Sequence, residues 1–218
     1  SLRNPASWCG VVGLRPTSGL IPHGPSNFPF FNLSVDGPMA RNIEDLSIFL
    51  DAMVGHNKND PLSSKGTRNS YYSNLLKRKE AKYLIGFTDD FGIFPCDKEV
   101  RYMMHNTLKL VQSLGHDLSN TYPDMSKSEY CFQTLRAYIF YCTYKSLLKK
   151  DKSLIKEEVI WNINKAKAIT IDDLLEAEKA RADIYNDTMK FFNKFDFLII
   201  PSSIVPPFNS QDKWVKKV

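Results

Sequence analysis

An α/β fold, a mixed β-sheet flanked by helices, is what this sequence predicts, and three observations point to it. Short apolar runs bounded by turn residues, at 83–87 and 197–200, read as strands. Longer stretches with apolar residues at helical spacing lie between them, the alternation that defines the class. The 218 residues are 43% hydrophobic and 24% charged, enough to bury one ordinary core and too apolar for a chain that is mainly disordered.

The first 38 residues hold half of the ten glycines and six of the twelve prolines, a density that predicts tight turns and short extended pieces, not helix. Residues 11–14 read as a short strand closed by a turn at Pro16, and 20–38 as a long loop with an apolar centre at 28–31. A helix follows. Asn42 is its N-cap with Asp45 three residues on, Ile43, Leu46, Phe49, Leu50 and Met53 mark its apolar face, and Gly55 is its C′ stop. Residues 56–82 are polar and charged and predict a surface excursion.

After the strand at 83–87, Asp97 opens an amphipathic helix with Val100, Met103, Met104, Leu108, Val111 and Leu114 on one side, ended by Gly115. Two or three helices are expected between about 124 and 168. Another runs from Thr170, paired with Asp173 as a capping box, to about residue 195. The run 197–200, bounded by Pro201, reads as a buried strand. No internal repeat is evident.

Composition excludes several functions. The net charge is +5, and the basic clusters Lys77-Arg78-Lys79, Lys149-Lys150 and Lys213 with Lys216-Lys217 are short and interleaved with acids or beside loops. Such clusters read as solvated surface, so no nucleic acid partner is expected. No apolar run approaches the ~20 residues that span a bilayer, and no charged leader precedes an apolar segment, so a cytoplasmic location without a membrane segment is the expectation.

Cys9, Cys96, Cys131 and Cys142 show no paired spacing. On one helix Cys131 and Cys142 would lie roughly 16 Å apart, too far for a disulfide, so free thiols are expected. Without C-x-x-C or histidines at helical spacing, no metal is expected, and Gly10-Val11-Val12-Gly13 is too short and apolar for a phosphate loop. His23, His56, His105 and His116 follow no Ser-His-Asp order. Glu157-Glu158 and Asp172-Asp173 read as helix-end charges. The aromatic set Tyr130, Phe132, Tyr138, Phe140, Tyr141 and Tyr144 reads as ordinary core, with the lining of a substrate pocket as the alternative.

Chemistry is concentrated at the start. Ser1-Leu2-Arg3-Asn4-Pro5-Ala6 followed by Gly10-Val11-Val12-Gly13-Leu14-Arg15-Pro16-Thr17-Ser18-Gly19 resembles the amidase signature family, whose motif runs Gly-Gly-Ser-x-Arg-x-Pro-Ala and then Gly-x-x-Gly-Leu-Lys-Pro-Thr-x-Gly. Gly37-Pro38-Met39-Ala40-Arg41, Glu44-Asp45-Leu46 and Leu50-Asp51-Ala52-Met53 continue the likeness in register. Gly86-Phe87, Asp90-Phe91-Gly92, Pro201-Ser202 and Val205-Pro206-Pro207-Phe208 extend it more loosely along the chain.

The resemblance implies a partial amidase-signature domain over residues 1–218, incomplete at both ends. Within it, 1–40 form the nucleophile loop and Gly/Pro-rich segment, and 41–218 the helices and strands. It implies that Ser1 is the nucleophile and that its backbone N–H contributes to the oxyanion hole. Arg3 matches the motif arginine, which supports the nucleophile loop, and Arg15 stands where the family usually carries lysine. The family works without cofactor or metal on small-molecule amides, using a lysine base and a serine on a cis peptide bond. Both lie before the nucleophile in the family, so the 218 residues alone are expected to be inactive while the parent enzyme hydrolyses carboxamides. The alternatives are an ammonia-generating subunit of a tRNA-dependent amidotransferase, which would need partner subunits, and a non-catalytic remnant or binding module.

Overall fold

The computed structural model describes residues 2–66, 69–77, 80–149, 152–212, 215 and 218. The chain forms two compact units, one of Ser1–Thr121 with Phe195–Val218 and one of Tyr122–Lys194. The α/β expectation holds, as an antiparallel strand pair and a three-stranded parallel sheet with seven α-helices among the described residues.

The first unit opens with a helix, α1 (Arg3–Cys9), where tight turns and short extended pieces were expected. Pro5 falls in its first turn, where no N–H is needed by the helix's own ladder. Gly10, left-handed at φ 63°, ends it with an N–H on the Ser7 carbonyl at 3.3 Å. β1 (Val12–Gly13), shorter than the run 11–14, pairs antiparallel with β2 (Met39–Ala40).

α2 (Ile43–Met53) starts as expected, with Asn42 Oδ1 accepting the Asp45 N–H at 2.7 Å, and it buries Leu46 and Leu50. Its end differs. Val54 leaves the helix extended and Gly55 is not left-handed, so no C′ glycine closes it. The Gly55 carbonyl instead accepts the Ser63 hydroxyl at 3.3 Å. The stretch expected as an excursion contains α3 (Tyr71–Leu76), which packs on α2.

β3 (Leu84–Phe87) is the central strand of the parallel sheet. α4 (Lys98–Ser113) is capped by Asp97 and leads to β4 (Asp117–Ser119) on one side, and β5 (Phe197–Ile199) pairs on the other. The buried stripe of α4 is narrower than its sequence suggests, because Met104 and Leu108 are buried while Met103 and Leu114 are exposed. β5 is not the buried strand expected, since it lies at one margin of the sheet and leaves Phe197 half exposed.

The second unit consists of α5 (Ser128–Tyr144), α6 (Glu157–Lys165) and α7 (Ile171–Phe192), with short 3-10 segments at Lys145–Lys149, Lys152–Leu154 and Ala166–Ala168. α5 packs against both other helices. Its core joins Cys131 and Leu135 to Ala177 and Ala180 of α7, with Ile184 alongside. Two alanines three residues apart share one face of α7 and allow α5 a close approach. The capping box forms as expected, the Asp173 N–H reaching the Thr170 hydroxyl at 3.1 Å and the Thr170 N–H reaching the Asp173 carboxylate at 2.8 Å.

Candidate active site

Segments at opposite ends of the chain meet beyond the carboxyl ends of the parallel strands. The Thr88 N–H continues the β3–β5 pairing to the Ile199 carbonyl at 3.2 Å, and the Asp97 N–H meets the Ile204 carbonyl at 2.9 Å. These bonds join the loops that follow β3 and β5. Open α/β sheets hold ligands at this edge, where the loops leave the strands.

α1 reaches the loop after β5 through Trp8. Its indole N–H is shared between the Ser203 hydroxyl at 3.2 Å and the Val205 carbonyl at 3.4 Å. The ring meets Phe208 edge-on at 5.1 Å between centroids, a favoured aromatic geometry. Ser203 and Val205 are both buried, and the Ser203 hydroxyl donates to the Val205 carbonyl at 2.8 Å.

The start of α1 is packed as closely. The Ala6 N–H donates to the Leu2 carbonyl at 3.1 Å, and the Leu14 N–H to the Pro38 carbonyl at 3.1 Å. Gly37 has to be glycine. A Cβ there would lie 2.0 Å from the Leu14 carbonyl oxygen and 2.9 Å from the Leu2 side chain. The Gly-Leu and Gly-Pro segments of the sequence motif therefore press together against the residue that follows Ser1.

A family model described as Amidase matches residues 1–217. The chain belongs to the amidase family. Among curated relatives, an acylamidase of Rhodococcus erythropolis is 28% identical over 205 residues, covering 93% of this chain and 43% of that protein. A glutamyl-tRNA(Gln) amidotransferase subunit of Helicobacter pylori (strain G27) is 36% identical over 118 residues, covering 54% of this chain and 25% of that one. The crystal structure of a bacterial aryl acylamidase of the amidase signature enzymes superposes with a TM-score of 0.83 at 19% identity, covering 99% of this chain and 46% of that chain. That likeness shows a shared fold. The amidase chain spans less than half the length of these relatives.

Of the residues that the sequence marks for chemistry, Ser1 lies outside the described residues. Arg3 is exposed at the first position of α1. Arg15 donates to the Leu33 carbonyl at 3.4 Å, holding the loop that follows β1. Asp90 and Asp89, just past β3, pair with Arg101 of α4 at 2.5 and 3.3 Å, and His105 Nε2 lies 3.1 Å from Asp89. The Gly92 N–H first, and then Arg101, hold the Asp90 carboxyl below its ordinary range, so this group stays ionised and fixes the loop after β3 to α4.

All four cysteines are free thiols, as expected. Burial pushes the Cys96 and Cys131 thiols up, the opposite of an activated nucleophile. Among the described residues no group of three or more His, Cys, Asp or Glu is arranged to hold a metal ion, and no helix is long and apolar enough to cross a membrane.

The aromatic residues of α5 differ from the expected core. Tyr130, Phe132, Tyr138 and Tyr144 are between 37% and 48% exposed, and the buried face is Cys131, Thr134, Leu135 and Ala137. Small and medium side chains occupy that face because α6 and α7 both pack on α5. Phe140 and Tyr144 instead line, with Leu147, Ile155 and Val159, an open apolar cavity of about 510 Å³ in the second unit.

Sequence reasoning singled out neither Ser203 nor Trp8. The two residues stand 195 apart in the chain, and no spacing rule within a single sequence joins them.

Proposed function

We propose that the natural protein hydrolyses small carboxamides through an acyl-enzyme on Ser1. What supports the reading is the meeting of α1 with the loop after β5 at the carboxyl edge of the sheet, through Trp8, Ser203, Val205 and Phe208. The motif residues that follow Ser1 thereby belong to the edge where an α/β sheet holds reactive groups.

An alcohol is a weak nucleophile at neutral pH and requires a base to take its proton. In the family pattern the Ser1 proton passes through a serine to a neutral lysine, and Oγ forms a bond to the amide carbon. The carbonyl oxygen then carries the negative charge, which backbone N–H groups including that of Ser1 stabilise; one such donor is worth about 2.7–4 kcal/mol. As the C–N bond breaks, the relay returns a proton to the departing amine. Water then cleaves the ester and restores the hydroxyl. The resemblance gives Arg3 the role of supporting the nucleophile loop. The chemistry calls on neither metal nor cofactor.

The test uses the natural protein with anilide substrates, numbered as here. Ser1→Ala is expected to lower kcat by at least about 1,000-fold with the fold retained; a variant that keeps near-parent turnover refutes the reading.

The likeness to the H. pylori amidotransferase favours a second reading, an ammonia-releasing component that works with partners. Turnover of glutamine, with partner proteins retained on purification, would select it over the first reading. Failure of every amide, with Ser1 unreactive, would leave a binding module.

A further inference from the structure

α1 begins two residues after Ser1 in the chain and carries Trp8 near its far end. A helix of this length runs for about 10 Å and transmits a shift at one end to the other. Ala6 is the buried residue of α1, and Asn4 Oδ1 is buried there without a partner. The indole of Trp8 supplies the hydrogen bonds from this helix to the loop after β5.

The Ser203 turn closes without the indole. Its hydroxyl donates to the Val205 carbonyl at 2.8 Å and accepts the Val205 N–H at 3.4 Å, two residues on. The loop is also held from outside by the Asp97 N–H on the Ile204 carbonyl. The Trp8 N–H is therefore an addition to a turn already complete, and what it adds is the seating of α1.

We propose that Trp8 is a positioning residue for the Ser1 nucleophile, acting through the Ser203–Val205 turn. The inference rests on the reading of Ser1 given above. The aromatic contact with Phe208 sets the ring, and the shared N–H sets its rotation, so the pair fixes the seating of α1, the helix that begins two residues after Ser1 in the chain. A misplacement of about 1 Å at a reacting atom costs on the order of 100-fold in rate.

The experiment compares Trp8→Phe, Ser203→Ala and the double variant of the natural protein. It reads kcat and KM on an anilide, the rate at which a fluorophosphonate labels Ser1, and Tm. Trp8→Phe keeps an aromatic ring against Phe208 and removes the N–H, whereas Ser203→Ala keeps the whole indole and removes one of its two acceptors together with the hydroxyl that closes the turn, leaving the Val205 carbonyl. Each is expected to lower kcat and the labelling rate together, by about 10- to 100-fold, with KM within about twofold of the parent. The double variant is expected to be no slower than the slower single one, as for partners in one interaction.

A lower Tm with labelling and kcat within about twofold of the parent would make the contact structural and overturn the proposal. So would singles that slow the reaction but multiply independently in the double variant. If Ser1→Ala left turnover intact, the reading of Ser1 would fall first, a result separable from any effect at Trp8.

Discussion

Asp51 links two helices with one carboxylate. It sits near the end of α2 and accepts the Tyr71 N–H at 2.6 Å, the Tyr72 N–H at 3.2 Å and the Ser70 hydroxyl at 2.6 Å, all at the start of α3. Asp60 does similar work in the preceding loop, taking the His23 N–H at 2.8 Å and the Leu62 N–H at 2.9 Å. The Ser70 hydroxyl holds the Asp51 carboxyl below its ordinary range, and the His23 N–H does the same for Asp60. A carboxyl whose folded pKa lies below the unfolded one, about 3.9, adds stability above that value and loses it as pH falls through the folded pKa. Stability is therefore expected to be level from neutral pH to about 4 and to fall below it. Asp60→Asn should flatten the acid limb in a Tm–pH series; an unchanged limb would contradict this origin. Gly37→Ala is the sharpest backbone test, since its Cβ would meet the Leu14 carbonyl oxygen at 2.0 Å. A loss on the order of 2–4 kcal/mol in denaturant unfolding is expected, because backbone has to move.

The second unit shows how much an element's packing depends on its smallest residues. Ile163 of α6 and Ala177 of α7 have no solvent exposure, while Asn162 beside Ile163 is buried with its amide satisfied by Arg136 at 2.6 Å and the Glu158 carbonyl at 2.6 Å. Ile163→Ala is expected to cost about 2–5 kcal/mol in denaturant unfolding, and a change below about 1 kcal/mol would show that the site collapses freely. Elements with their own end signals were legible in the sequence. α2 carries its Asn42 cap, α4 its Asp97 cap and α7 its Thr170–Asp173 box. Elements that borrow stability from elsewhere were not. α1 hides behind proline and glycine, α3 is capped partly by Asp51 twenty residues earlier, and β4, Asp117–Ser119, is a polar strand defined by its pairing with β3. The aromatic periodicity of α5 misled because two neighbouring helices claim its narrow side, turning the large rings outward.

Across the whole chain, the candidate site was half legible. The N-terminal motif marked the glycines that crowd Leu2, whereas the Trp8–Ser203 contact needs the fold to bring residues 195 apart together; the roles of Ser1 and Arg3 belong to the proposal. Family membership and fold rest on the match over residues 1–217 and on the shared architecture of the aryl acylamidase. The step from family to acyl-enzyme chemistry is testable in one measurement. The natural protein would be mixed with an activated anilide or ester, quenched in acid during turnover, digested and mapped by mass spectrometry. The acyl mass is expected on the peptide that contains Ser1, on Ser1 itself, and absent from Ser1→Ala. Turnover with the acyl group on another residue, or undiminished in the Ser1→Ala protein, would contradict it.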